Sequence, residues 1–90
     1  MYTPQELNRI KWQCRRGMRE LDVIIEPFFE EDFSSLDEDL KRVFVRILNE
    51  SDLMLFRWLL RGETPKDYDY IRLIDVMLDR HSARVAANNQ

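Results

Sequence analysis

Apolar residues return every three or four positions from Leu7 to Leu78, and no stretch alternates them with polar residues over the length of a strand. That spacing lines one side of an α-helix and is wrong for a half-buried strand. Five segments carry it, so the pattern predicts an all-α fold, a small single-domain bundle of five short helices joined by tight turns.

The first helix opens at Thr3, Pro4 and Glu6, where Thr3 and Glu6 have capping-box spacing and Pro4 suits the first helical position. Leu7, Ile10 and Cys14 share one of its faces, and it runs to about Arg16 before Gly17 stops it. The second follows almost without a linker, with Leu21, Ile24, Ile25 and Phe28 as its stripe and Pro27 inside the pattern as a source of a kink or restart.

A third helix begins near Ser35, which has capping-box spacing to Glu38, and carries Leu36, Leu40, Val43, Phe44, Ile47 and Leu48. A fourth runs from about Asp52 to Arg61 with Gly62 as its stop, and a last one opens at Thr64 and Pro65. That helix presents Tyr70, Ile71, Ile74, Met77, Leu78 and His81 on one side. The large apolar residues then run out, which predicts a folded domain over residues 1–82 and a frayed tail over residues 83–90.

Ninety residues suffice for one modest core, and 34% charged residues describe a soluble domain. The net charge of -3 conceals a sign change. Arg9, Lys11, Arg15, Arg16 and Arg19 precede it against Glu6 alone, whereas residues 20–39 hold nine acids and no base. Such a dipolar surface can orient a protein partner, although two solvated faces of opposite sign would give the same pattern. A nucleic-acid binder would concentrate basic charge instead. No segment is apolar for long enough to cross a bilayer, and the first residues lack the apolar core of a secretory signal, so a cytoplasmic setting is expected.

Candidate chemistry is sparse. Cys14 is the single cysteine and His81 the single histidine, far apart in sequence and both at core-facing helical spacing. Both glycines serve as helix stops, which leaves no phosphate-binding loop and no dinucleotide-binding pattern for a tightly held FAD. The residues therefore suggest a protein that binds without transforming, with no catalytic centre. Trp12 projects nearly opposite Leu7, Ile10 and Cys14, among Arg9, Arg15 and Arg16. Tryptophan and arginine together are typical of interface hot spots, but a helix covered on two sides would bury Trp12 instead. At the break, Arg16 could offer a donor fork to a partner's carboxylate while Glu20 receives a base, with Gly17 allowing close approach.

Arg16, Gly17 and Glu20 also fit an RGxxE motif, inside KWQCRRGMRELDVIIEPFFE and followed by LKRVFVRILNESDLMLFRWLL. Over about Arg9 to Leu78 these blocks resemble the SdhE (YgfY) family, FAD assembly factors of succinate dehydrogenase. The resemblance implies a small all-helical chaperone that docks on the flavoprotein subunit of succinate dehydrogenase, and of the related fumarate reductase. There it promotes covalent attachment of FAD, the cofactor of the client. It implies a bacterial cytoplasmic protein with Arg16, Gly17 and Glu20 at the interface and Arg19 and Asp22 adjoining; the sequence is silent on oligomeric state, and a monomer is assumed when the client is absent. Antitoxin or inhibitor action by protein binding is a second role assigned to the family.

Overall fold

The computed structural model describes residues 2–88. Among them, five α-helices and one 3-10 turn account for the regular structure: α1 Pro4–Cys14, α2 Arg19–Glu31, the turn Phe33–Ser35, α3 Glu38–Ile47, α4 Asp52–Leu59 and α5 Tyr68–Asn88. Helix α2 lies against α1, α4 and α5, and α3 covers another side of α5. The all-α bundle expected from the apolar spacing is the observed architecture.

Helix starts follow the capping logic. The Thr3 hydroxyl accepts from the Glu6 amide at 3.1 Å while the Glu6 carboxylate accepts from the Thr3 amide at 2.9 Å, closing a reciprocal box. The Thr3 bonds hold the Glu6 carboxyl below its ordinary pKa. Ser51 caps α4 by accepting from the Met54 amide at 3.2 Å.

Two starts lie further along than the sequence suggests. Asp37, not Ser35, caps α3, its carboxylate accepting from the Leu40 amide at 2.8 Å. Ser35 is instead in the 3-10 turn, where its hydroxyl donates to the Asp32 carbonyl at 2.9 Å. With the start at Asp37, Glu38 and Asp39 fall in the first turn, where they favour the helix dipole. Likewise Thr64 and Pro65 belong to the connection, where Pro65 is buried, and the helix opens only at Tyr68. Asp67 accepts from the Asp69 amide at 2.8 Å through its side chain and from the Ile71 amide at 3.1 Å through its carbonyl.

Helix ends differ too. Helix α1 finishes at Cys14 and α4 at Leu59, two residues short of the expected Arg16 and Arg61. Pro27 does not split α2, which continues through it to Glu31. Helix α5 extends past residue 82 to Asn88, and Arg84 is held to Asp32 at 2.7 Å. Residues 83–88 of the expected frayed tail are therefore helical, while Asn89 and Gln90 lie outside the described residues.

The core is one continuous cluster. Leu21, Phe28, Phe44 and Leu73 are wholly inaccessible, and Phe28, Phe29 and Phe33 gather around Phe44 with ring centroids 5.5 to 6.3 Å apart. Aromatic packing of this kind supplies both burial and a preferred geometry. At the far side Trp58 meets Tyr70 at 5.4 Å, and the Tyr70 hydroxyl donates to Glu50 at 3.0 Å. Burial and that Glu50 contact raise the Tyr70 pKa.

Candidate functional site

The joint between α1 and α2 brings most of the candidate residues together. Helix α1 ends because Arg15 turns to extended backbone, with its amide still bonded to the Trp12 carbonyl at 3.2 Å. Gly17 then takes φ of +81°, in the left-handed region that side chains with a Cβ avoid. A Cβ there would meet nothing within 4 Å, so backbone conformation and not crowding within the chain asks for glycine. Met18 begins α2 without a side-chain cap.

Arg16 departs from its expected role. Its side chain is only 15% exposed, turned inward beneath the joint. Nε donates to Asp52 Oδ1 at 2.7 Å, Nη1 to the carbonyls of Gln13 at 3.0 Å and Leu48 at 2.8 Å, and Nη2 to the Glu50 carbonyl at 2.8 Å. Four of the five guanidinium donors are thus engaged inside the chain. The Gln13 and Leu48 carbonyls belong to the last turn of α1 and the cap of α3, where a helix has no backbone partners to offer and carries partial negative charge, and the Glu50 carbonyl belongs to the connection before α4. A planar fork answers several acceptors at once, which a lysine ammonium would do less well. The donor fork expected to grip a partner's carboxylate is therefore occupied at home, and no Arg16–Glu20 pair faces outward.

Asp22 completes the arrangement by accepting from the Arg16 backbone amide at 2.8 Å. It is half-buried and reaches back from the first turn of α2 to tie down the chain just before Gly17. Glu20 and Arg19, on the same turn, are exposed.

Outside this knot lies an open face. Trp12 is 66% exposed, which decides between its two readings: α1 is not covered on both sides. A shallow depression beside it is lined by Asn8, Lys11, Trp12, Arg15 and Glu26. A second runs along Arg15, Gly17, Arg19, Asp22, Val23 and Glu26 toward Glu30. Arg15 and Glu26 line both, so the two form one surface. Arg9 falls elsewhere, in a depression with Tyr2, Gln13 and Val45 on the α3 side of α1, and Glu20 lies outside the lining of the groove. Among the described residues Lys11, Arg15, Arg19, Glu20, Glu26 and Glu30 make no ion pair within 4.0 Å. Charges of both signs stand unpaired on the same face.

Val23, 46% exposed, and Glu26 were missed from sequence although both share this face. Their spacing from Arg19 along α2 was the available signal. Asp52 was missed for a different reason: it joins Arg16 across 36 positions, and no local pattern announces such a pair.

Cys14 lies at the inner edge of the joint with 1% exposure. Burial first, and then Glu26, pushes its thiol up to about 12, which keeps it protonated and unreactive at neutral pH. No group of three His, Cys, Asp or Glu side chains that could hold a metal ion occurs among the described residues, and none of their helices is long and apolar enough to cross a membrane.

By fold this is a small all-α domain with charges of both signs unpaired around the joint between α1 and α2. Residues 8–81 match the family described as flavinator of succinate dehydrogenase. Similar proteins include the FAD assembly factor SdhE of Pectobacterium atrosepticum, 48% identical over 77 residues that cover 86% of this chain and 88% of that one. The FAD assembly factor SdhE of Vibrio parahaemolyticus is 44% identical over 94% of this chain and 99% of its own length. That of Photorhabdus laumondii is 46% identical over 84% and 86%. The chain belongs to the family of succinate dehydrogenase flavinators, as the resemblance around RGxxE indicated.

Proposed function

We propose that this chain is a non-catalytic assembly chaperone of the bacterial cytoplasm, a monomer when free, that docks on the flavoprotein subunit of succinate dehydrogenase. It promotes covalent attachment of the client's FAD, and the same face serves the flavoprotein of fumarate reductase. The observation that carries the reading is the surface shared by Trp12, Arg15, Gly17, Arg19 and Glu26. Its unpaired charges and exposed tryptophan are what a partner can satisfy and desolvate.

Gly17 presents bare main chain at the crest of the joint, so a partner surface can press against it. Arg15, Arg19 and Glu26 line the groove beside it and Glu20 is exposed on the same turn of α2, and opposite charges on the client would fix the pose and the rate of encounter. A helper of this kind acts through preference: it binds more tightly the client arrangement in which the acceptor histidine and the flavin meet, and so populates it. FAD is not held by the helper in this scheme.

The test is the covalent flavin of the succinate dehydrogenase flavoprotein, read as fluorescence of the denatured band in cells with this chain, without it, and with Gly17→Arg or Glu20→Arg. A band that depends on the wild-type chain and fades with Gly17→Arg supports the reading. Equal bands with and without the chain overturn it, and a Glu20→Arg variant as active as wild type removes Glu20 from the interface.

A further inference from the structure

The geometry points to Asp52 as a positioning residue that, acting through Arg16, holds the Gly17 joint in the shape its outer face needs. This rests on the docking reading above and adds to it a residue outside RGxxE.

Asp52 is the first residue of α4, more than thirty positions from the joint. Its Oδ1 lies 2.7 Å from Arg16 Nε and is the one anionic acceptor on that guanidinium; the other three acceptors are neutral carbonyls. A charge-assisted bond is short, strong and directional, so the carboxylate sets the rotation of the fork that the carbonyls then complete. The exposures are unequal, 44% for the Asp52 side chain against 15% for Arg16. The aspartate works from the rim while the arginine is enclosed.

Arg16 in turn is immobilised at both ends. Its side chain is held by Asp52 and the ends of α1 and α3, and its backbone amide by Asp22. Gly17 is the next residue and has no contact of its own for a side chain to supply. A glycine at positive φ, free on its outer side, has many conformations open to it. Here the selection among them comes from the neighbour on its inner side. Ser51 is consistent with this division of labour, since it caps α4 alone and leaves Asp52 available to Arg16.

Asp52 also sits in the first turn of α4, where any acid favours the helix dipole. The experiment must separate that purely structural effect. Two-dimensional nitrogen–proton spectra of the full chain are recorded for wild type, Asp52→Asn, Asp52→Glu, Arg16→Lys and the double variant Asp52→Asn with Arg16→Lys. In Asp52→Asn the Arg16 Nε proton should exchange about tenfold faster and the Gly17 and Met18 amides should shift, with the Leu73 and Ile25 core signals in place. In the Arg16→Lys background the same Asp52 substitution should move Gly17 no further. A Gly17 amide unmoved by Asp52→Asn, or moved equally in both backgrounds, overturns the inference; a dipole effect alone would be the same in both.

The second arm measures binding of each variant to the purified succinate dehydrogenase flavoprotein subunit. Asp52→Asn should bind about tenfold more weakly, and Asp52→Glu, which keeps the charge, should recover part of that loss. Equal affinity of wild type and Asp52→Asn overturns the positioning role. If wild type itself does not bind, the docking reading falls, while the Gly17 signals still decide whether Asp52 shapes the joint.

Discussion

Gly17 and Gly62 sit in joints that look alike locally and are built differently. Each joint holds a glycine at positive φ, +81° and +72°, and each glycine would accept a Cβ without touching anything within 4 Å. The α4–α5 joint is closed by its own neighbourhood: the Arg61 amide bonds to the Phe56 carbonyl at 3.1 Å, the Glu63 amide to the Arg57 carbonyl at 3.0 Å, and Arg57 meets Glu63 at 3.5 Å with both side chains about half exposed. The α1–α2 joint is closed from a distance, by Asp52 and the connection from α3 to α4 acting on a part-buried Arg16. Local closure suffices for a turn that only reverses the chain. Long-range closure makes a turn whose shape is conserved through the fold's own stability, which is what a docking crest requires.

Cys14 reports on the first joint without any engineering, and it gives the largest expected effect. With its thiol pushed up to about 12 from an ordinary 9.0, the thiolate fraction at neutral pH is on the order of a thousandfold below that of the unfolded chain. Alkylation of native protein should be slower by at least that factor. The folded pKa is raised, so the stabilisation is fully present below about pH 9 and is lost as the pH rises toward about 12. Denaturation curves of wild type should therefore weaken across that window, and those of Cys14→Ala should lose this part of the decline. A thiol that reacts as fast folded as unfolded at pH 8 would show that the joint stands open.

Next in size is the contrast between the two arginines. Arg16→Ala leaves the Asp52 carboxylate and three carbonyls without their common donor and should cost about 3 kcal/mol. Arg57→Ala removes an exposed pair and should change stability by less than about 0.5 kcal/mol. Urea denaturation of the two variants measures the difference directly. Similar losses would mean that the two joints are held alike after all.

The sequence made the helices legible and left the joint's interior dark. Thr3 and Gly62 announced helix limits because their effects reach only a few residues. Ser35 misled because its hydroxyl is engaged with the Asp32 carbonyl in the 3-10 turn, and Asp37, two residues on, caps the helix at the Leu40 amide. The outer face was partly legible: Trp12 opposite the apolar stripe, and the change of charge sign at Gly17. Arg16 was assigned to the wrong side of the chain. Its neighbours in sequence are exposed and basic, whereas its partners are the ends of helices that only tertiary packing brings near. Residue type spoke of a donor fork, and topology decided who receives it.

Backbone strain predicts a smaller effect and an equal one at the two joints. Gly17→Ala and Gly62→Ala should each cost about 1 kcal/mol, since both force an L side chain into the left-handed region with space to spare. Function should then divide them: covalent flavin in the client should fall with Gly17→Ala and stay level with Gly62→Ala. Matched stability losses with unmatched activity would locate the requirement on the outer surface of the first joint. Matched activity would mean that the main chain at Gly17 is not approached.

The smallest stability effect should belong to Trp12, and it carries the sharpest test of the outer face. At 66% exposure its indole rests on little of the core, so Trp12→Ala should leave the denaturation midpoint within about 0.5 kcal/mol of wild type. Against a client the arithmetic reverses. An exposed tryptophan that becomes enclosed on docking loses its water on binding and not on folding, and truncating such a residue costs about 2 kcal/mol of affinity. Its neighbours Lys11, Arg15 and Glu26 surround it with charge that could exclude solvent once the partner is seated. Titration of the flavoprotein subunit against wild type and Trp12→Ala, alongside Arg9→Ala as the control on the other flank of α1, should show weakening for Trp12 and none for Arg9. Equal weakening would extend the docking face around α1 toward α3. No weakening for either would confine it to Gly17 and the first turn of α2.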